Sequence, residues 1–206
     1  MFNQIALETE LLKWNEFLRI NPNNAKAYVQ RGMTHFKLAN IEESIQDFDR
    51  AEQLNPNLTP YLWQRGLSYY YAKRFEEGAK QFEIDLTVNG HDAEETVWRY
   101  LCIASYKGIQ EAKDSLVVVK NDPRMVMRSV YELYAGNCSI DDVLKTGQKE
   151  GQKGNFYSHL YLGLYYEVTE NEPQAKEYIT KAVSQYPLQD YMWNLASVHQ
   201  QLRGWN

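Results

Sequence analysis

The sequence predicts an all-α fold in which helix-turn-helix units stack into a solenoid. Two observations support this fold class. Arg31-Gly32 recurs as Arg65-Gly66, 34 residues further along the chain, and the same offset places Phe48 onto Phe82. Each unit also has the apolar spacing of two amphipathic helices. A period of about 34 residues with two helices per unit is typical of a repeat array, in which each unit covers the apolar face of the next.

Residues 3–20 form the first predicted element, an N-terminal covering helix. Apolar side chains recur at helical spacing among charged ones in this segment: Ile5, Leu11, Leu12, Trp14, Leu18 and Ile20. The first repeat of an array has no preceding repeat, so a terminal helix is needed to close that face. We therefore expect this helix to pack on the repeat that follows it. The alternative is that it docks on a second copy of the chain.

Residues 25–58 contain the clearest repeat. Gly32 on the first helix and Ser44 on the second are small enough for the helices to approach closely, while Phe48 fills the volume around that contact. Pro56 then prevents the second helix from continuing. This arrangement resembles the tetratricopeptide repeat, whose pattern has Arg-Gly or Leu-Gly at positions seven and eight, an aromatic residue at twenty-four and Pro near thirty-two.

Two other segments resemble the same repeat. Residues 59–92 keep Gly66 in register but have Asp85 where the pattern has Ala. Residues 156–189 have Gly163 at position eight and the expected small and apolar residues on the second helix. We interpret both segments as tetratricopeptide repeats.

The remaining segments keep helical spacing with less of the pattern. In residues 93–126 the glycine of position eight is replaced by Tyr100, which indicates a diverged repeat. Residues 127–155 are predicted to be an irregular helical insertion in this diverged middle section. Residues 190–206 are predicted to be a C-terminal capping helix. The resemblance implies a single solenoid over residues 1–206.

Boundary residues predict where several helices begin. An Asn, Asp or Thr precedes a proline at three places, and a capping-box spacing occurs at two others. The predicted starts are Thr59-Pro60, Asp122-Pro123, Asn171 before Pro173, Asp92 with Glu95, and Ser139 with Asp142. Between the last two repeats, residues 146–155 contain three glycines among polar residues, which predicts a long mobile connection.

Composition excludes several classes of function. The net charge is −5, from 22 basic and 27 acidic residues, so no basic excess is available to bind nucleic acid. No run of apolar residues approaches the ~20 needed for a membrane span. The first twenty residues do not have the pattern of a signal peptide. The sequence therefore predicts a cytoplasmic protein, and the alternative is a protein whose targeting segment has been removed.

Cysteines, histidines and acidic pairs do not predict a chemical site. Cys102 and Cys138 lack CxxC spacing and are expected to pack as small apolar side chains. The four histidines, His35, His91, His159 and His199, have no zinc-binding spacing. Acidic pairs occur at Glu42-Glu43, Glu76-Glu77, Glu94-Glu95 and Asp141-Asp142, and we attribute them to first helical turns, where negative charge is favourable. We predict no catalysis, no metal and no cofactor.

The resemblance to tetratricopeptide repeats implies where a partner would bind. In that family the first helix of each repeat lines a concave groove through positions two, five, nine, twelve and thirteen. These positions hold Lys26, Val29, Met33, Phe36 and Lys37 in one repeat, and Pro60, Trp63, Leu67, Tyr70 and Tyr71 in the next. The Lys and Asn with which some family members clamp a peptide carboxylate are absent, since these positions carry Val29 and Met33. We predict an aromatic groove that binds a protein or peptide segment. The alternative is that the repeat register is shifted and Trp63 is a core residue.

The second half of the chain is also similar to bacterial NlpI-type lipoproteins, which are dimeric repeat adaptors. The similarity rests on Trp98-Arg99-Tyr100-Leu101, Ala112-Lys113, Tyr131 to Asn137, Phe156-Tyr157 and Leu162 to Tyr166. The chain lacks the signal peptide and the lipid-accepting cysteine of that group, so membrane anchoring is not implied. We predict a non-enzymatic adaptor or scaffold. The alternative is an assembly factor that forms a homodimer through its terminal helices. The apolar residues of the C-terminal helix are Trp193, Leu195 and Val198.

Overall fold

The computed structural model describes residues 2–90 and 92–205, so His91 lies outside the described residues. The described residues form α-helices, one 3-10 helix and turns, without β-strands, which confirms the all-α fold class. The chain divides into two compact units, Met1–Val88 and Asn89–Asn206, which we call the N-terminal and C-terminal units.

The N-terminal unit contains α1 (Phe2–Ile20), α2 (Ala25–Lys37), α3 (Ile41–Leu54), a 3-10 helix (Pro56–Tyr61), α4 (Trp63–Tyr71) and α5 (Phe75–Asp85). The C-terminal unit contains α6 (Ala93–Lys107), α7 (Ile109–Asp114), α8 (Met125–Ala135), α9 (Ile140–Lys149), α10 (Gly151–Val168), α11 (Glu172–Gln185) and α12 (Tyr191–Leu202).

Two helix pairs and a covering helix make up the N-terminal unit. Helix α2 packs on α3, α4 packs on α5, and α1 lies against α2. A glycine lies where each pair crosses. A Cβ atom on Gly66 would lie 2.7 Å from the ring of Phe82, and one on Gly32 would lie 3.2 Å from the carbonyl oxygen of Ser44. The repeated Arg-Gly dipeptide therefore marks the closest approach of the paired helices.

A polar contact recurs with the period of the repeat. Three arginines spaced 34 residues apart each donate a hydrogen bond to the residue 16 positions later: Arg31 Nε to Asp47 Oδ2 at 2.8 Å, Arg65 Nε to Gln81 Oε1 at 2.8 Å, and Arg99 Nη1 to the carbonyl oxygen of Ser115 at 2.7 Å. Because the third contact lies in the C-terminal unit, the period continues there although Tyr100 has replaced the glycine. The arginines tie the first helix of each pair to the second.

Helix α10 is the centre of the C-terminal unit, and it contacts α6, α8, α9 and α11. Its Gly163 packs against Ile179 of α11, because a Cβ atom there would lie 2.6 Å from the Ile179 side chain. Tyrosine rings fill much of the space around α10 in edge-to-face contacts: Tyr100 with Tyr134 at 5.1 Å and Tyr134 with Tyr165 at 5.4 Å. The high tyrosine content therefore contributes to the core.

Helix starts were predicted with mixed success. The side chains of Asn171 and Asp92 accept backbone N–H groups of the following first turns, and Ser139 forms a complete capping box with Asp142. The predicted start at Thr59-Pro60 is wrong, because a 3-10 helix, in which Pro60 lies, occupies that segment and α4 begins at Trp63. Asp122 accepts the backbone N–H of Arg124 instead of starting a helix at Pro123, and α8 begins at Met125.

The predicted mobile connection over residues 146–155 is also wrong. Helix α9 continues to Lys149 and α10 begins at Gly151, so that most of the segment is helical. Gly147 and Gly154 lie against each other where these helices cross, and a Cβ atom on Gly147 would lie 2.7 Å from the carbonyl oxygen of Gly154. Gly147 and Gly154 therefore permit a close helix contact, and of the three glycines in this segment only Gly151 has a positive φ, of 71°. The acidic pairs do lie in first turns, as predicted.

The two terminal helices differ in their exposed surface. On α12, Leu195 and Val198 are buried, and Trp193 donates its indole N–H to the carbonyl oxygen of Val183 at 3.2 Å. Two of the three apolar residues through which this helix was expected to form a homodimer are therefore already packed within the chain. On α1 the opposite holds, because Ile5, Leu12 and Ile20 are 60%, 68% and 65% exposed.

Candidate functional site

The predicted groove residues fall into two groups by burial. Phe36, Leu67, Tyr70 and Tyr71 are buried, so a partner cannot reach their side chains in this structure. Phe36 packs edge-on against Tyr71 with ring centroids 5.6 Å apart, and Tyr70 contacts Phe75 in the same way at 5.5 Å. The expected groove role of these four residues is therefore not supported, because their side chains pack in the core.

The other predicted residues keep accessible surface. Lys26 is exposed, and Val29, Met33 and Trp63 are partly exposed. Lys26, Val29 and Met33 are three and four positions apart, so they lie along one side of α2. Trp63 is the first residue of α4. We call Lys26, Val29, Met33 and Trp63 the α2/α4 surface.

Gln64 connects the two helices at this surface. Its Nε2 atom lies 3.8 Å from the Sδ atom of Met33, which is a weak contact because a thioether is a poor acceptor. The residue is only 8% exposed, and its Oε1 atom is buried without a hydrogen-bond partner among the described residues. An unpaired buried carbonyl of this kind costs about 1–3 kcal/mol, and it lies too deep in the N-terminal unit for a partner to reach. We did not predict a role for Gln64, because a glutamine between Trp63 and Arg65 does not indicate a special position in the sequence.

Charge on the N-terminal unit is largely paired inside it. Lys37, the remaining predicted residue, lies with its Nζ atom 3.9 Å from Glu10 Oε1 on α1. Arg65 donates to Glu52 and Asp49, and these hydrogen bonds hold its pKa above its usual value despite the opposing effect of burial. Lys26 has no ion pair with a described residue. It therefore supplies the unpaired positive charge of the α2/α4 surface.

A cavity of about 400 Å³ lies in the C-terminal unit, between the start of α8 and the first half of α10. Its lining is partly apolar and partly charged: Pro123, Arg124, Val126, Met127, Glu150, Lys153 and Tyr157. Glu150 accepts hydrogen bonds from the backbone N–H groups of Met125 and Val126, at 2.9 and 3.2 Å, so it caps α8 across the cavity wall. No sequence signal indicated this cavity, because it joins residues about 30 positions apart.

Three carboxylates hold Arg124 in the lining of the cavity. It donates to Asp92 at 3.0 Å, to Glu94 at 2.7 Å and to Asp122 at 2.7 Å. Burial disfavours its charge, but these carboxylates outweigh that effect and raise its pKa. Tyr161 also donates to Glu94, at 2.6 Å, which joins α10 to the same network. The network positions the elements that surround the cavity.

Groups with chemical reactivity are otherwise used in packing. Cys102 is buried, and burial raises the pKa of its thiol. His159 lies between the rings of Tyr178 and Tyr186, at 5.5 and 4.9 Å, in the place of the usual aromatic residue. Among the described residues, no cluster of three or more His, Cys, Asp or Glu side chains could hold a metal ion. Within the same residues, no helix is long and apolar enough to cross a membrane.

Comparisons with known proteins give a repeat and a fold. The tetratricopeptide repeat family model matches residues 25–58. A solved structure described as "MamA RS-1 ArsTM double mutant" is similar to the chain with a TM-score of 0.51 and 15% sequence identity, over 85% of this chain and 83% of that chain. No curated protein matches. The likeness of residues 93–186 to NlpI-type lipoproteins is not shown by these comparisons and stays a prediction. The chain thus contains a tetratricopeptide repeat at residues 25–58, within an all-helical fold similar to that of the MamA structure.

Proposed function

We propose that this chain is a non-enzymatic adaptor that binds a protein or peptide segment on the α2/α4 surface. The observation that carries the proposal is the set of partly exposed apolar residues Val29, Met33 and Trp63 with the exposed, unpaired Lys26 beside them. Binding energy in protein interfaces is concentrated in a few apolar and aromatic anchors. Met33 and Trp63 are the anchors that a bound segment would cover.

The chemistry of this surface limits the partner. Lys26 at one end favours an acidic group on the bound segment, and the apolar residues beside it favour apolar side chains. Val29 and Met33 cannot clamp a terminal carboxylate, so the segment is bound along its length instead of by its end. The partner is therefore a mixed apolar and acidic segment. Exclusion of nucleic acid and a cytoplasmic location stay predictions that follow from composition.

Affinity capture from native extract with matched variants tests the proposal. Trp63→Ala should weaken partner capture by about 2 kcal/mol or more while leaving thermal unfolding nearly unchanged. Tyr61→Ala is the control, because Tyr61 is 59% exposed and lies only two residues away, outside the α2/α4 surface. If Trp63→Ala unfolds the protein, or if both variants capture the partner equally well, the proposed surface is wrong.

Self-association is a second candidate function, and α1 is the element that favours it. Ile5, Leu12 and Ile20 are exposed on one side of this helix, while Leu7 and Leu18 are buried on the other side. Exposed apolar residues that share one side of a helix can form an interaction surface. In this alternative the chain assembles through α1, and the α2/α4 surface has a lesser role.

A further inference from the structure

We propose that residues 116–120 bind an extended segment of a partner protein by β-strand addition, with an apolar residue of that segment opposite Val118 and an acidic residue opposite Lys120. Residues 116–120 read Leu-Val-Val-Val-Lys and belong to the C-terminal unit, and we call them the valine segment. In β-strand addition, main-chain hydrogen bonds give the affinity and alternate side chains give the specificity. The proposal does not depend on the α2/α4 surface.

The valine segment lies where the diverged repeat loses most of its second helix. Helix α7 has six residues, whereas α3 and α11, the second helices of the repeats at 25–58 and 156–189, have 14 residues each. Residues 116–122 then continue without a helix, turn or bend. Three consecutive valines disfavour a helix and favour an extended backbone, because their side chains are branched at Cβ. The chain therefore contains a strand-like segment among its helices.

The main-chain groups of the valine segment are the first observation that points to a partner. From Val117 to Lys120, no backbone N–H or C=O group forms a hydrogen bond with a residue in the described parts of the chain. In an extended chain these groups alternate between two edges, and a free edge is a template for pairing with another strand. A second extended backbone supplies matching donors and acceptors, whereas a helix uses its own internally. The chemistry therefore selects an extended peptide.

Both ends of the valine segment are tied to neighbouring helices. Arg99 on α6 donates from Nη1 to the carbonyl oxygen of Ser115 at 2.7 Å, and Arg128 on α8 donates from Nη1 to the carbonyl oxygen of Asp122 at 2.6 Å. The carboxylate of Asp122 also accepts the backbone N–H of Ala93 at 3.1 Å. Because the segment is held at both ends, less conformational entropy is lost when a partner strand binds to it.

The side chains of the valine segment define the chemistry of the partner. Val118 is 67% exposed and Lys120 is also exposed, and residues two positions apart share one side of an extended chain. Lys120 forms no ion pair with a described residue. Pairs of β-branched residues and pairs of opposite charge stabilise neighbouring strands. The partner segment therefore has a β-branched residue and an acidic residue two positions apart.

A second copy of the valine segment fits less well than a partner peptide. Stable interfaces between two protein chains involve about 20–30 residues on each side, and this segment has only five. It contains no acidic residue, so a second copy of it would place none opposite Lys120. A short acidic peptide needs only the length of the segment.

The test uses the peptide acetyl-Glu-Thr-Val-Thr-Val-Thr-Glu-amide, which is titrated into the ¹⁵N-labelled full chain. We expect a Kd on the order of 1 mM, as for a small interface. Amide-proton shifts should move downfield at every second residue from Val117 to Lys120, because only alternate N–H groups point toward one neighbouring strand. The control peptide has N-methyl groups on its five central residues and should not bind detectably, since it keeps the charge but lacks the main-chain donors.

Two variants locate the site. Val118→Asp should weaken binding of the acidic peptide about fivefold or more, because it removes an apolar contact and adds a like charge. Val88→Asp is the control, since Val88 is a 45% exposed valine in the N-terminal unit. Lys120→Glu should weaken binding of the acidic peptide about fivefold, and the same variant should bind acetyl-Lys-Thr-Val-Thr-Val-Thr-Lys-amide more tightly than the wild type does.

Several outcomes would overturn the proposal. Equal affinity for the peptide and its N-methylated form would show that the main chain is not recognised. Shifts confined to residues outside 115–121 would place the binding elsewhere, and an affinity unchanged in folded Val118→Asp would remove the role of the valine. A mass that doubles with concentration for the wild type, but not for Val118→Asp, would show that a second copy occupies the segment. The α2/α4 surface is tested separately through Trp63.

Discussion

Asp85 shows how one residue outside the repeat pattern changes the physical chemistry of the N-terminal unit. It stands where the pattern has Ala, and its carboxyl group is fully buried. Gln81 donates to Oδ1 at 2.7 Å, but Oδ2 has no hydrogen-bond partner among the described residues. Burial raises the pKa of Asp85 to about 7, although the Gln81 hydrogen bond and the charge of Arg65 act in the opposite direction.

Stability should therefore depend on pH through Asp85. The unfolded chain releases this proton near pH 4, whereas the folded chain keeps it until about pH 7. Between these values the unfolded state binds fewer protons, so the free energy of unfolding falls as the pH rises, by a few kcal/mol in total. Above about pH 7 the ionisation of Asp85 lowers the free energy of unfolding no further.

The prediction is checked by urea unfolding of the wild type and Asp85→Asn between pH 4 and 8. Asparagine keeps the acceptor for Gln81 but cannot ionise, so the variant should gain stability relative to the wild type as the pH rises through this range. His199, whose pKa burial lowers to about 4, contributes equally to both proteins and cancels in the difference. Parallel pH profiles would show that Asp85 has an ordinary pKa.

The sequence predicted the residues of the core better than the residues of a binding surface. The repeat register places Phe36, Leu67, Tyr70 and Tyr71 at groove positions, but their burial depends on which rings pack against them. A sequence pattern gives the side of a helix on which a residue lies and does not show what covers that side. Gln64 was missed because only the three-dimensional contacts show that its Oε1 atom is buried and unpaired.

Among the elements, the helices with a strong apolar period were the predictable part of the fold. The paired helices of residues 25–58 follow from the spacing of apolar residues, and Asn171 and Ser139 mark real helix starts. The segment 146–155 was misread because glycine at a helix crossing and glycine in a loop look alike in sequence. Only the contact of α9 with α10 distinguishes the two cases.

Close helix crossings make glycine substitutions informative. Alanine is more favourable than glycine inside a helix by about 1 kcal/mol, so Gly→Ala stabilises unless the new methyl group meets an obstacle. At Gly163 that methyl would lie 2.6 Å from Ile179 and 3.1 Å from its backbone nitrogen, whereas at Gly32 the nearest atom is 3.2 Å away. Overpacking costs about 1–3 kcal/mol where the neighbours cannot move.

We therefore expect Gly163→Ala to lower the free energy of unfolding by about 1–2 kcal/mol, and Gly32→Ala to change it by less than about 0.5 kcal/mol. Chemical denaturation at fixed pH measures both, with Gly32→Ala serving as the control for helix propensity. Equal changes at the two positions would contradict the close approach of α10 and α11 at Gly163.

At the scale of the whole molecule, the adaptor and the assembly hypotheses use different surfaces. The adaptor hypothesis depends on the α2/α4 surface, and the assembly hypothesis depends mainly on α1 because Leu195 and Val198 of α12 are buried. Sequence periodicity predicted a helix at each end but could not show which one retains an uncovered apolar side. Leu195 and Leu12 both have apolar helical spacing, yet the first is buried and the second is 68% exposed.

The oligomeric state separates these hypotheses. If α1 drives assembly, light scattering should show a mass that rises toward that of a dimer at concentrations of about 100 μM. Leu12→Glu should return the protein to a monomer, because burying a carboxylate in an apolar contact is costly. Leu202→Glu is the matched control, since Leu202 is a 40% exposed leucine on the other terminal helix. Trp63→Ala should leave the mass unchanged. A mass that stays monomeric for the wild type at every concentration would leave α1 with only its covering role, and partner capture through Trp63 would then carry the function alone.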